Sequence, residues 1–252
     1  MQELIRTALL NADQAEVYTS EDSSDSIGFS DGKLDAVDTS LSSALALRII
    51  KDGKIGFAHT RNLLEPKHLV KQALLSAENG MEARFDFPHT TSVPSFDTYD
   101  PAIEIVSKDE LIQRGRELLD YVKSQTDAQM NLNFGYSTSK SSLANSTGTQ
   151  LSRSESSFGM FTQLIFPGTG SGLMKFKRSQ SPVWLGRQDL DEIIQLYEIS
   201  RQQIVPATGK MPVIFHAQAL YSLIWRLDEA INAANIFNKV SPLCGRTGEQ
   251  LL

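Results

Sequence analysis

The stretch Ser43–Gly80 constrains the fold more than any other part of the chain. It reads SALALRIIKDGKIGFAHTRNLLEPKHLVKQALLSAENG. Ala44–Ile50 is an apolar, β-branched run, Asp52-Gly53 follows, and Ile55–Ala58 is a second short run. Asp-Gly between two such runs predicts a tight hairpin, because both central residues of a type I′ turn need positive φ. Pro66 suits the first turn of the helix that follows, where a missing N–H costs nothing. Leu69, Val70, Ala73, Leu74 and Ala77 share one helix face, and Asn79-Gly80 predicts a left-handed stop. Two strands are therefore followed at once by a helix that can cover them.

The flanking sequence extends this unit. Leu4, Ile5, Ala8 and Leu9 make the stripe of a first short helix. Ala15–Tyr18 is a candidate strand, Asp22–Ser26 a polar turn, and Ile27 and Phe29 begin another strand that Asp31-Gly32 returns through Leu34–Val37. Residues 1–80 read as an N-terminal α+β region. Residues 81–106 hold Pro88, Pro94 and Pro101 together with Phe85, Phe87, Phe96 and Tyr99. Those aromatics predict a strap lying on the body rather than a free tail.

Residues 107–204 predict a helix-flanked antiparallel meander. Ser107 and Glu110 form a capping box ahead of the stripe Leu111, Ile112, Gly115, Leu118, Leu119 and Val122. Met130, Leu132, Phe134 and Tyr136 alternate with Asn131, Asn133 and Gly135, the clearest period-2 strand in the chain. Lys140–Ala144 and Thr149–Ser156 are further strands separated by Asn145-Ser-Thr-Gly148, and Phe158–Phe166 and Leu173–Arg178 follow. A helix is expected over about residues 189–202, with Leu190, Ile193, Ile194 and Tyr197 inward. Pro206–Gly209 reads as a linker, Met211–Phe215 as a short strand, and Leu220, Leu223, Ile224, Leu227, Ile231 and Ala234 as one periodic helix.

Composition excludes several classes. The chain has 252 residues, 24 Lys+Arg against 30 Asp+Glu, and a net charge of −6. That balance disfavours a general nucleic-acid binder. A single cysteine, Cys244, rules out a disulfide framework and a Cys-ligated structural zinc within the chain. The N-terminus lacks a signal peptide's apolar core, and no apolar run approaches the roughly 20 residues that span a bilayer. The expectation is a cytoplasmic protein with no membrane partner.

The string Leu45–Ala58, with Arg48, Asp52-Gly53 and Gly56-Phe57-Ala58 in that order ahead of an Ala-rich helix, resembles the N-terminal signature of the TldD/PmbA family, whose members are also called TldE or modulators of DNA gyrase. Asn145-Ser-Thr-Gly148 resembles the turn of the family's second region. Pro212–Phe215 and Ser241–Glu249 resemble the opening of its third. The resemblance implies an α+β chain in which residues 205–252 start a β-rich C-terminal region that is truncated here.

In the family's catalytic branch, the strand equivalent to Val213–Phe215 leads into His-Glu-x-x-x-His. The two His bind zinc and the Glu serves as general base. Here the string is His216-Ala-Gln-Ala-Leu-Tyr221. His216 stands, Ala217 offers no proton acceptor, and Tyr221 puts a phenol, a poor zinc ligand at neutral pH, in place of the second imidazole. One His does not hold a catalytic zinc, so no catalytic or metal site is assigned to this chain, and His216 reads as a helix N-terminal residue. The resemblance then points to the PmbA/TldE branch. It implies a non-catalytic subunit of a zinc metalloprotease, with the zinc in a TldD-like partner and unfolded peptide as substrate. The alternative is a homodimeric peptide-binding scaffold; a direct gyrase or DNA modulator ranks last.

Other motifs carry less. Gly168-Thr-Gly-Ser-Gly172 looks like a phosphate loop, but a strand rather than a helix follows it. Lys175, Lys177 and Arg178 read as a solvated basic strand face. Asp189, Asp191 and Glu192 read as first-turn acids favoured by the helix dipole. An extended peptide can add to a sheet edge through main-chain hydrogen bonds, but the sequence leaves the edge open.

Overall fold

The structure, a computed structural model, describes residues 1–62, 66–90, 92–166, 168, 172–202, 204–205 and 207–250. Contacts divide the chain into two compact units, Met1–Gln203 and Ile204–Leu252.

The first unit is α+β. Its strands are β1 (Gln14–Ser30), β2 (Lys33–Lys51), β3 (Lys54–Thr60), β4 (Gln129–Asn145), β5 (Gln150–Ile165) and β6 (Gly172–Ser179). They form one sheet in the order β3-β2-β1-β4-β5-β6, with every neighbouring pair antiparallel. Both expected Asp-Gly turns are present, with φ of 51° and 70° at Asp31-Gly32 and 50° and 72° at Asp52-Gly53.

Alternation along the strands sets two unlike faces. Val17, Ile27, Leu47, Leu132, Phe134, Phe158, Met160 and Leu164 all point to one face and are buried. Four helices cover that face: α1 (Gln2–Ala8), α2 (Pro66–Glu78), α3 (Lys108–Gln125) and α4 (Arg187–Ser200). α1 and α2 pack over the β1/β2 end and α3 and α4 over the β4/β5/β6 end, in two adjoining clusters. The helix stripes are those the periodicity predicts: Leu69, Val70, Ala73 and Ala77 in α2, and Leu190, Ile193, Ile194 and Tyr197 in α4. Ser107 caps α3 by accepting from the Glu110 N–H.

Two glycines let α2 sit close to β3. A Cβ on Gly56 would lie 2.2 Å from the Ala73 carbonyl, and one on Gly80 would lie 2.0 Å from the Ile55 carbonyl. Gly80 is not among the positive-φ residues. The expected left-handed stop is thus corrected: the glycine is required by backbone approach, not by its dihedral.

Three further expectations change. Asp22–Ser26 is not a turn. β1 runs straight through it, paired with Asp38–Ser42 on one side and Gly135–Ser139 on the other. Its polar side chains are satisfied across strands: Thr39 Oγ1 donates to Asp25 at 2.6 Å and Ser139 Oγ to Asp22 at 2.7 Å. The segments read as separate strands before and after Asn145 are halves of two long strands, β4 and β5, because the serine-rich tract continues the ladder. Leu9 is exposed rather than part of the α1 stripe. The glycine-rich run at 168–172 falls mostly on residues outside those described, as does Pro206 of the linker.

The second unit holds a 3-10 turn (Ala217–Leu220), α5 (Tyr221–Ile231) and α6 (Ala233–Phe237). Residues 211–215 are irregular rather than a strand, and no strand lies among this unit's described residues to pair with them. The expected single helix is broken at Asn232, whose side chain accepts from the Ala234 N–H at 2.9 Å and starts α6. No residue of α5 is buried, so its periodic stripe faces outward. Among the described residues, no helix is long and apolar enough to cross a membrane.

Candidate functional site

The sheet face opposite the helices carries the strap. Arg48 lies on that face, out of phase with buried Leu47 and Ile49. Its Nη2 donates to Glu16 Oε1 at 2.5 Å, and its guanidinium lies 5.0 Å from the Phe87 ring centre and 5.8 Å from that of Phe85. Phe87 is almost wholly buried and its N–H donates to Gln14 Oε1 at 2.7 Å. The strap lies on the body; of its aromatics Phe87 is buried, Tyr99 partly buried, Phe85 half exposed and Phe96 exposed.

Asn145 fixes the next stretch. Its Oδ1 accepts from the N–H groups of Thr147 and Thr149 at 3.2 and 2.9 Å, which shapes the β4–β5 turn. Its Nδ2 donates to the Pro88 carbonyl at 2.9 Å, and the Thr147 and Thr149 hydroxyls donate to the same oxygen at 2.8 and 2.6 Å. Ser146 ties the other side of the turn to Ala15 of β1 through bonds of 3.1 and 2.8 Å. A cleft of about 680 Å³ lies between strap residues 93–99 and the sheet, floored by Tyr18, Leu143, Leu151 and Arg153.

The strap also closes edges. It begins against β3, where Ile55 N donates to the Met81 carbonyl at 2.9 Å and Ala83 N to the Gly53 carbonyl at 2.7 Å. Farther along β3, Phe57 N reaches Ser76 Oγ of α2 at 3.3 Å. The strap ends on β5 beyond the reach of β6, where Ser156 N donates to the Thr98 carbonyl at 2.9 Å. A short 3-10 turn (Pro101–Ile105) then carries the chain to α3 and places Ile103 in the core under the helices.

The basic cluster is corrected. Lys175 and Lys177 face α4 and are paired: Lys175 Nζ lies 2.5 Å from Glu192, and Lys177 Nζ lies 2.6 Å from Asp189. Asp189 also accepts from the Gly186 N–H at 2.8 Å, and Asp191 accepts from the Tyr121 hydroxyl. Burial pushes the Asp189 carboxyl up, but Lys177 and the Gly186 N–H outweigh it and hold it below the ordinary value. The acids and lysines that read separately in the sequence are two sides of one strand–helix contact. Only Arg178 remains on the open face, with Phe176 and Met174.

A second network spans β1, β2, β4 and the start of α3. Asp25 accepts from Thr39 and from Lys108 Nζ, each at 2.6 Å. Burial raises its carboxyl, and the Lys108 and Thr39 contacts more than reverse that. Burial and the Asp25 charge push the neighbouring Tyr136 up to about 12.

His216 is exposed, and its carbonyl accepts from the Ala219 and Leu220 N–H groups at 2.8 and 3.2 Å. Ala217 opens the 3-10 turn, and Tyr221 is 71% exposed at the first turn of α5. The other histidines are scattered over the first unit. His59 and His68 are exposed, and His89 Nδ1 lies 2.5 Å from the Thr147 carbonyl. Among the described residues no three His, Cys, Asp or Glu side chains are grouped to hold a metal. Asn145 was legible only as part of a motif; its role in holding the strap was not.

Residues 15–77 match the family description "PmbA/TldA metallopeptidase domain 1". That segment is similar to the first domain of the TldD/PmbA family. The match covers β1, β2, β3 and nearly all of α2, which includes Arg48, Gly56 and the Asp52-Gly53 turn. An uncharacterized protein of Methanocaldococcus jannaschii is 24% identical over 232 residues, covering 88% of this chain and 52% of its own. Among solved structures, a candidate modulator of a DNA gyrase from Thermotoga maritima superposes with a TM-score of 0.85 at 20% identity, covering 99% of this chain and 59% of that one. TldE from Thermococcus kodakarensis superposes with a TM-score of 0.79 at 15% identity, with the same coverage. At those identities the superpositions establish the fold. The chain spans a little over half the length of these relatives.

Proposed function

We propose that this chain is a PmbA/TldE-type subunit that lacks zinc chemistry of its own and serves a TldD-type catalytic partner in a metalloprotease acting on unfolded peptides. The observation that carries the reading is the string His216-Ala217…Tyr221, where the residues that would supply a proton acceptor and a second imidazole are a methyl group and an exposed phenol. A hydrolytic zinc takes three protein ligands and an open position, with a base beside the bound water. In this reading the zinc resides in the partner, and this chain contributes binding surface. The match of residues 15–77 to a metallopeptidase-family domain and the TldE-like fold support that role. The pairing of Lys175 and Lys177 with α4 removes most of the charge on which a nucleic-acid role would draw.

The test is reconstitution. The chain is co-expressed with a TldD-type partner bearing an intact His-Glu-x-x-x-His string and assayed on an unfolded protein substrate. Activity is expected only in the mixture and is expected to vanish with a zinc chelator. Stoichiometric zinc in this chain purified alone, or chelator-sensitive proteolysis by it alone, would overturn the reading.

A further inference from the structure

The six-stranded sheet has two outer edges, and they are treated differently. The β3 edge is closed by Met81, Ala83 and Ser76, and β5 beyond β6 is closed by Thr98. β6 is the exception. Among the described residues, its backbone bonds to β5 and to no other segment. In an antiparallel ladder every second residue of an edge strand turns its N–H and C=O outward, and these groups accept another extended backbone. Natural edges are blunted by proline, bulges or outward lysines. β6 has no proline, pairs with β5 in unbroken register, and has both lysines drawn onto the helix face by Asp189 and Glu192.

The open face beside this edge is also incomplete. Met174 and Phe176 are 50% and 62% exposed. Arg178 stands directly across from Gly159, so β5 offers it no side chain there, and Gly159 in turn faces Gly135. The hydrogen bond found for the Arg178 guanidinium among the described residues is to Ser157 Oγ, at 3.1 Å. Nothing inside the chain demands these glycines. A Cβ on Gly135 would meet no atom within 4 Å, one on Gly159 would meet atoms only at 3.7 Å and beyond, and neither has positive φ. Glycine in a strand interior weakens it and marks a place where another chain or ligand comes close. The result is a shallow groove of about 510 Å³ with a bare backbone floor, walled by Phe161, Phe176 and Arg178.

We propose that β6 takes up an extended peptide segment as a seventh strand, with an acidic residue opposite Arg178 and apolar residues beside Phe176 and Met174. The proposal rests on the reading that this chain handles unfolded peptide, and it names the edge and the charge of the segment. A second copy is the poorer occupant. β6 itself holds no acidic residue, so no antiparallel pairing of β6 with a second copy gives Arg178 a counter-charge. An acidic residue in a peptide segment supplies one.

The test uses the full chain and three fluorescein-labelled ten-residue peptides in anisotropy titrations: an alternating Val-Thr peptide with one central Val replaced by Glu, the same peptide with Lys in place of that Glu, and the Glu peptide N-methylated at alternate amides. The acidic peptide is expected to bind, the lysine peptide to bind more weakly, and N-methylation on the pairing side to abolish binding. Arg178→Glu is expected to weaken the acidic peptide about fivefold and to favour the lysine one. Met174→Lys, which blunts the edge without touching the arginine, is expected to weaken both. Equal binding of the N-methylated peptide, indifference to peptide charge, or no binding at all would overturn the proposal. So would sedimentation showing a dimer that Phe176→Glu dissolves. The subunit reading is decided separately by activity of the reconstituted mixture, which none of these titrations measures.

Discussion

Asn145 donates its side-chain N–H to the Pro88 carbonyl, 2.9 Å away, and so joins the β4–β5 turn to a strap 57 residues earlier in the sequence. The same amide's oxygen organises the turn itself. One buried side chain thus sets both the shape of a turn and the path of the segment that crosses the open face.

Asn145→Ala should therefore cost more than an ordinary surface turn residue. It leaves the buried Thr149 N–H without its acceptor and removes one of three donors from Pro88. The expected loss is about 2 kcal/mol, read from urea unfolding. Asn145→Asp keeps the acceptor but loses the donor, so it should fall between the wild type and Asn145→Ala. Limited proteolysis between Pro88 and Thr98 should accelerate in the same order. An unchanged unfolding midpoint in Asn145→Ala would contradict the assignment.

Arg48→Met tests the other anchor. It leaves Glu16, itself buried, without its cation, and it removes the guanidinium that lies over Phe87. Breaking a fully buried pair costs about 3–5 kcal/mol, but the Arg48 side chain is 43% exposed, so about 2 kcal/mol is expected. Adding Glu16→Gln should recover part of that loss, because the stranded charge is gone. A double-mutant cycle with no coupling between the two positions would show that the pair contributes nothing.

What the sequence revealed was local. Asp52-Gly53 and Asp31-Gly32 encode their turns in their own dihedrals, and the helix stripes of α2, α3 and α4 are periodic without reference to anything else. The misreadings around the sheet were non-local. Asp22–Ser26 looks like a turn until partners on both flanks are known. Asn79-Gly80 looks like a helix stop until β3 is seen against it. Lys175 and Lys177 lie 12 to 17 residues before the acids that neutralise them. The site followed the same rule. The string His216–Tyr221 could be compared with a catalytic pattern residue by residue, whereas the edge at β6 depends on strand order.

The glycines separate packing from dihedral demands in a way substitution can measure. Gly56→Ala places a methyl group 2.2 Å from the Ala73 carbonyl, a backbone atom that moves only if α2 moves. It should destabilise by at least about 2 kcal/mol, as overpacking does. Gly135→Ala meets nothing within 4 Å and relieves a strand of its most flexible residue. It should be neutral or stabilising by about 0.5 kcal/mol. Thermal melts of the two variants should therefore move in opposite directions or differ by several degrees; equal losses would refute the distinction.

Acid should weaken the first unit through Asp189 and Asp25. Both carboxyls sit below their ordinary value in the folded chain, after the raising effect of burial is overcome by Lys177 and Lys108 respectively. The unfolded chain then binds more protons than the folded one at low pH, so stability rises with pH across that window. The contribution is complete above the unfolded carboxylate value of about 3.9 and is lost as pH falls through it toward the lower folded values. Melting temperature should thus be flat from pH 7 to 5 with respect to these groups and should drop below pH 4. Asp189→Asn should lower the melting temperature at pH 6, where the wild-type pair with Lys177 is intact, and should shrink the fall between pH 5 and 3. An acid limb identical in Asp189→Asn and the wild type would show that the contact between β6 and α4 does not depend on this ion pair.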